Sequence, residues 1–318
     1  MTKYLNFPLE LLKIFMHKYE FRNKLYSYYN KKHNIILKYN MIHILFYGNC
    51  QTNTIRQTLN LNPNKYEVCN IPCFNDVNIE YFTDKIKISD IIITQSIKDN
   101  YLDNELLSTN YIIRTCKPDC KVIILPSYHF SFYYFDISKH NIPVPSGYNY
   151  NSMIQCYKQG QSVEYYLENY VNNPHFKSKE ELEQIAVDCL KALDDRYDAS
   201  QKYKINNNII TLPITKFIEE NYKHTLLFHT TNHPTKILIQ HVCHTLIDLL
   251  NIENTMDYWT DHLSTFVRNI MYKCVEQVVT FKTPAPLIEL NNEYHHNVKD
   301  ITEWYYRNYA QLDKKYFL

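Results

Sequence analysis

The stretch "HILFYGNCQTNTIRQTL", residues 43–59, passes from an unbroken apolar run through a polar turn into a helix-compatible segment. Residues 42–47 (IHILFY) show no polar alternation, which suits a strand covered on both faces. Gly48 ends the run. The 318-residue chain has 3 glycines, where ordinary usage of about 7% gives roughly 22. A glycine kept in so glycine-poor a chain marks a place where the backbone takes a positive φ or where a ligand approaches closely. "TNTIRQTL" then reads as helix, with Asn49, Cys50 and Gln51 in the turn. Strand, tight turn and helix open a βαβ unit, and in open α/β sheets ligands gather at the carboxyl ends of strands.

The pattern recurs outward from this stretch. Runs at 66–70 (YEVCN), 90–95 (DIIITQ) and 121–125 (KVIIL) are short and β-branched, with room between them for helices. The fold expected is α/β, a three-layer parallel sheet. Ser178 and Glu181 form a capping box ahead of a helix whose inner face carries Leu182, Ile185, Ala186, Cys189 and Leu193. Residues 225–228 (TLLF) read as a further strand, followed by "HTTNHPT" and a helix from Pro234 to about Leu250. Three parts are expected. Residues 1–40 form a basic helical extension, with eight Lys/Arg against Glu10 and Glu20. Residues 41–254 form the α/β domain. Residues 255–318 form a helical extension, rich in Tyr and Trp, packed on the same body.

Bulk properties exclude some functions. Lys+Arg 34 against Asp+Glu 33 gives a formal charge of +1, which does not draw the chain to nucleic acid. Peripheral membrane contact through the basic face of 1–40 is the one electrostatic exception. The nine Cys are odd in number and show no compact disulfide spacing. No run of apolar residues reaches membrane-spanning length, and the N-terminus lacks a leader pattern. A cytoplasmic protein with free thiols is expected. Cys69-x3-Cys73 and Cys116-x3-Cys120 have no completing Cys/His pair, so no metal is expected.

The chemistry concentrates at residues 48–56. A Cys at a helix start faces unpaired N–H groups and the positive end of the helix dipole, both of which favour thiolate. Asn49 and Gln51 have amides suited to a developing oxyanion. The base expected is His233: Pro234 fits the first helical position, so the dipole keeps the imidazole neutral. Asn232 is placed to orient it. His229 and His129 are the rival histidines. The plainer reading makes Cys50 a buried small hydrophobe and His233 a surface cap.

"FYGNCQ" at 46–51, "DIIITQ" at 90–95, "VIILPSYHFSFYYFD" at 122–136 and "NHPT" at 232–235, in that order, resemble the WcbI family of polysaccharide-biosynthesis acetyltransferases. The resemblance covers about 41–250. The layout is also similar to the SGNH hydrolase (flavodoxin-like) pattern, with Cys in place of Ser. It implies coenzyme A, with acetyl-CoA as donor, and a sugar, nucleotide-sugar or glycan acceptor acylated at a hydroxyl or amine in capsule or surface glycan assembly. By the same resemblance Gly48, Asn49, Cys50 and Gln51 match the first motif, Gln95 the end of the third strand, Asp136 the acid after the aromatic block, and Asn232, His233 and Pro234 the last motif. Phe135 stands where the resemblance implies Pro, and Phe132 where it implies Gly, so a differently shaped pocket is expected there. Cys50 is then the nucleophile or a site-lining thiol, and His233 the general base. Gly48, Gln95, Arg56 and Lys236 are the residues expected to hold the cofactor, with Arg114 a further cation for its phosphates. Two other readings share these residues: an esterase or deacetylase acting on glycan esters, and a non-enzymatic module that binds coenzyme A, a nucleotide or a glycan.

Overall fold

A computed structural model of the chain describes residues 41–74, 76–138, 142–143, 148–253, 255–264, 268–290, 293–312 and 316. The basic extension expected at 1–40 lies outside them. Ile42–Leu318 forms one compact unit.

Five strands, β1 (Ile42–Gly48), β2 (Tyr66–Pro72), β3 (Ile91–Gln95), β4 (Lys121–Leu125) and β5 (Ile209–Thr211), form one sheet of order β2-β1-β3-β4-β5. All neighbours are parallel. Side chains alternate between two buried layers, as the two-residue period of a strand requires. Ile44, Phe46, Ile91, Ile93, Ile123 and Leu125 pack in one core with Ile55, Leu59 and Leu238. Leu45, Tyr47, Ile92, Val122 and Ile124 pack in the other with Phe82, Ile86 and Ile112. The helices behind these names are α1 (Cys50–Leu59), α2 (Ile79–Ile88), α3 (Thr109–Thr115) and, later in the chain, α4 (Asn151–Lys158), α5 (Lys179–Gln201), α6 (Thr215–Asn221) and α7 (Lys236–Leu250). Each Ile or Leu so buried contributes about 1.5–3 kcal/mol of transfer free energy, which is why continuous apolar runs became strands here. The three-layer α/β architecture is therefore the one expected.

The Ser178–Glu181 capping box forms with both of its hydrogen bonds, and Leu182, Ala186, Cys189 and Leu193 are buried on one face of α5. The fifth strand differs from expectation. TLLF at 225–228 does not enter the sheet. Leu226 and Leu227 spend their carbonyls on Thr235 Oγ1 and Thr235 N, so this run closes a loop instead of a ladder. β5 pairs with β4 from Ile209 to Thr211, a three-residue edge inside an Asn-rich segment.

Beyond 255, where a helical extension is expected, the one α-helix among the described residues is α8 (Val298–Gln311), which buries Ile301, Trp304, Tyr305 and Tyr309. The described residues between 255 and 290 are mostly irregular, with a short 3-10 turn at Lys273–Gln277. Pro284 and Pro286 lack the N–H that a helix there would need. A small antiparallel ladder, β6 (Ile288–Leu290) with β7 (Glu293–His295), precedes α8. Among the described residues no helix is long and apolar enough to cross a membrane.

Candidate active site

Strand order 2-1-3-4-5 places its topological switch between β1 and β3, where ligands of such sheets bind. Gly48 ends β1 there and Gln95 ends β3. α1 begins at Cys50, two residues earlier than "TNTIRQTL" implied. Asn49 is its N-cap, with Oδ1 accepting from Gln51 N at 2.9 Å. Gly48 does not take a positive φ; Gly160 does. The reason for glycine is closeness of side chains. A Cβ at Gly48 would lie 2.3 Å from Thr52 Oγ1 and 2.9 Å from Gln95 Oε1.

Gln95 and Gln51 are braces. Gln95 Oε1 accepts from Asn49 N at 2.8 Å, and Gln95 Nε2 donates to Gln51 Oε1 at 3.1 Å. Gln51 Nε2 donates to Tyr128 O and to Asn232 O, each at 2.7 Å, and Gln51 Oε1 accepts from Tyr128 N at 3.2 Å. Gln51 is 1% exposed. Both of its N–H groups are committed, so it does not have the free amide expected for an oxyanion. Buried Gln95 likewise has both amide atoms engaged within the protein, and Gly48 faces Thr52 and Gln95 where a cofactor contact was expected.

Cys50 is half-buried. Burial pushes its thiol up, against the N–H groups of Gln51 and of Cys50 itself, which pull it down. The net direction is up. The thiolate expected from the helix start is thus corrected to a thiol, because desolvation outweighs the amide contacts. Its surroundings include two residues with no motif around them. Cys73 is raised by burial and, among lesser causes, by Cys50, and it accepts a hydrogen bond from Tyr101. Tyr148 is raised by burial and by Cys50, and it is hydrogen-bonded to Thr230.

The histidine loop is tied to the same place. Phe130 N donates to Thr231 O at 2.8 Å, and Tyr134 OH to Phe228 O at 3.0 Å. Phe130 and Phe228 stack at 5.7 Å. The aromatic block at 128–135 is therefore largely core that holds the loop. Inside the loop His229 N donates to His233 O at 2.7 Å. Thr230 Oγ1 donates to Asn232 Oδ1 at 3.1 Å and accepts from His233 N at 3.1 Å. Asn232 thus bonds Thr230 rather than orienting an imidazole. α7 starts at Lys236 with Thr235 as its N-cap, so Pro234 is not the first helical residue and His233 precedes the helix. What lowers its pKa is burial first, then the neighbouring His229.

Of the two loop histidines, His229 is the one paired with an acid. It is 5% exposed, and its Nε2 lies 2.9 Å from Asp261 Oδ2. Burial pushes the Asp261 carboxyl up, but His229 and the backbone N–H groups of Lys236 and Leu263 outweigh it and hold it low. The ionised Asp261 accepts the hydrogen bond from His229 Nε2–H. His229 Nδ1 and His233 Nδ1 are both buried without a partner. No local pattern marks Asp261, whose partner lies 32 positions upstream.

The other expected residues are scattered. Arg56, held by Asn53, lines a cavity of about 760 Å³ along α1. Arg114 lines a separate cavity of about 390 Å³ with Asp99 and Glu105. Lys236 opens α7 beside the histidine loop. His129 is exposed, its carbonyl accepting from Arg196 Nη1 at 3.3 Å. Asp136 is buried elsewhere, bonded to Ser152 Oγ at 2.6 Å and to Tyr272 OH. Among the described residues no three His, Cys, Asp or Glu side chains converge as a metal site.

No curated protein matches the chain. A solved structure of WcbI, described as a polysaccharide biosynthesis enzyme, is similar with a TM-score of 0.72 and 18% identity, over 87% of this chain and 92% of that one. It is described as the native protein without a disulfide bond between coenzyme A and one of its cysteines. At that identity the likeness concerns the fold. The model of the polysaccharide biosynthesis enzyme WcbI matches residues 43–255, a span that holds β1 to β5, Cys50 and the histidine loop, and the chain belongs to that family.

Proposed function

We propose that the protein is an acyl-CoA-dependent acetyltransferase that acylates a sugar hydroxyl or amine in surface or capsular glycan biosynthesis. The observation that carries this reading is the bond from Gln51 to Asn232, which fastens the residue after Cys50 to the histidine loop at the β1/β3 switch. Family membership and the coenzyme A named with the similar WcbI structure support it.

In this mechanism His233 takes the Cys50 proton. Cys50 Sγ attacks the thioester carbonyl, and the oxyanion is met by Asn49 Nδ2 and the backbone N–H of Cys50. The C–S bond to coenzyme A breaks, and the departing thiolate takes the proton back from His233. The acceptor hydroxyl then gives its proton to His233 while its oxygen attacks the acyl-Cys50 carbonyl. Cys50 leaves as thiolate and is reprotonated. In the direct variant His233 activates the acceptor alone and Cys50 only lines the site. Gly48 and Gln95 act by shaping the turn. Lys236, beside the loop, is the cation proposed for the donor's phosphates.

A second reading puts the base at His229, favoured by its bond to Asp261. The two histidines separate by variant: the base is the one whose replacement by Gln abolishes transfer while the other leaves most of it.

Acetyl-CoA is incubated with the protein and candidate sugars, and free thiol and acetylated sugar are followed. Sugar-dependent thiol release with acetylated product is the expected result. Thiol release that ignores the sugar favours a hydrolase, and none at all favours a binding module. Cys50→Ala retaining full activity excludes the covalent route; Cys50→Ser reports the weaker nucleophile.

A further inference from the structure

We infer that the cavity along α1 is a subsite for a remote, uncharged sugar residue, so that the acceptor is an oligosaccharide rather than a single sugar. The inference rests on the acceptor reading proposed above. The cavity, about 760 Å³, is lined among others by Arg56, Gln57, Asn60, Asp257, Trp259 and His262. Its volume lies inside the roughly 300–1,000 Å³ common for ligand sites.

Trp259 is the central observation. It is 89% exposed, more than any other large apolar side chain among the described residues. The chain has 2 Trp, and the other, Trp304, is buried. An indole left in water forgoes the largest burial gain any side chain offers, and exposed apolar surface beside a cavity marks binding. Its backbone is pinned. Trp259 N and Thr260 N donate to Asp257 Oδ1 at 2.8 and 3.1 Å. Asp257 N donates to Thr58 O at 2.8 Å, and Gln240 Nε2 donates to Tyr258 O at 3.1 Å. The indole is presented from α1 and α7 by this bracing.

Charge selects the ligand. The Thr260 hydroxyl and the two N–H groups hold the Asp257 carboxyl low, so a carboxylate, with His262 3.7 Å from it, shares the cavity with Arg56. A nucleotide phosphate would meet that carboxylate. A pyranose meets no such conflict: its C–H face covers the indole, and its hydroxyl rim reaches Gln57, Asn60, Asp257 and Arg56.

Position sets the length. At 1.5 Å per residue, Arg56 lies about 9 Å and Asn60 about 15 Å along α1 from Cys50. One sugar ring cannot touch both Cys50 and the far wall. The rim also leads to the reaction centre through the backbone, since residues 257–261 run from Thr58 to the Asp261 that bonds His229.

The binding test uses the full chain without an acyl donor, and the kinetic arm adds acetyl-CoA. Tryptophan emission is titrated with maltohexaose, cellohexaose and mannohexaose, and with glucose and ADP for comparison. A saturable change is expected with at least one hexasaccharide and with neither glucose nor ADP. Trp259→Phe, in which Trp304 alone reports, shows none. By calorimetry Trp259→Ala binds that hexasaccharide about tenfold more weakly, and as an acceptor its KM rises while kcat holds. Silence with every hexasaccharide, a response to ADP, a response to glucose at the same affinity, or unaltered binding in Trp259→Ala overturns the subsite. Saccharide binding with no acyl transfer leaves the subsite standing and removes the acetyltransferase; transfer indifferent to Trp259→Ala does the reverse.

Discussion

At the scale of single residues, Gly48 and Cys50 show how packing decides what a motif means. Gly48 is glycine because Thr52 and Gln95 occupy the space of its Cβ, not because of its φ. Gly48→Ala is therefore expected to cost about 1–3 kcal/mol, the usual range for overpacking. Thermal melting measures it, and Gly48→Ala with Thr52→Ala recovers part of the loss by removing the 2.3 Å contact. An unchanged melting temperature in Gly48→Ala would show that the turn gives way freely. For Cys50, burial holds the thiol above its ordinary 9.0. The thiolate is then the minor form at neutral pH, and its fraction keeps growing beyond pH 9. Iodoacetamide labelling of Cys50, followed by peptide mass spectrometry, should accelerate through that range where an unperturbed thiol has begun to level off. A plateau below pH 8 would contradict the direction of the shift.

At the scale of elements, β1 and α1 were legible because a continuous apolar run met an N-capping Asn, and those are local signals. β3, β4 and α5 were legible for similar reasons. β5 was not: three residues, Ile209–Thr211, in an Asn-rich segment carry too little pattern, while TLLF carries a strand pattern but uses its carbonyls to close a loop. The same limit applies to the site. Cys50 and His233 were visible as residues of motifs. Asp261 was not, since it meets His229 only after α7 and the following loop have folded back. Asp261 holds both the His229 ring and the first N–H of α7, so Asp261→Asn should lower stability by about 1–3 kcal/mol, as for a buried hydrogen bond to a charged group. Chemical denaturation checks this. If His229 is the base, activity falls with it; if His233 is, most activity remains at temperatures below the transition.

At the scale of the molecule, a second polar centre is buried around Asp136. Asp136, Ser152, Tyr272 and Tyr166 form a buried cluster linking the aromatic block, α4, the short helix Val163–Tyr166 and the loop near 272. Burial raises the Asp136 carboxyl most, only partly offset by Ser152 and Tyr272. A carboxyl with a raised folded pKa binds its proton more tightly folded than unfolded. Its contribution to stability is full below the unfolded value of about 3.9 and is lost as pH rises through the folded one. Asp136→Asn keeps the size and acceptor and removes the ionisation. The variant should therefore show less decline in stability between acid and neutral pH than the parent, read as melting temperature against pH. Parallel curves would remove Asp136 from the account.

The Gln51 hub has a kinetic side. Its bonds to Tyr128 and Asn232 close loops of 77 and 181 residues. Closure entropy for such spans must be met before the contacts return anything, and long-range contacts slow folding. The cradle around Cys50 is consequently among the last parts of the chain to assemble during synthesis: no nascent chain that stops short of residue 232 can complete it, however well its sheet has formed.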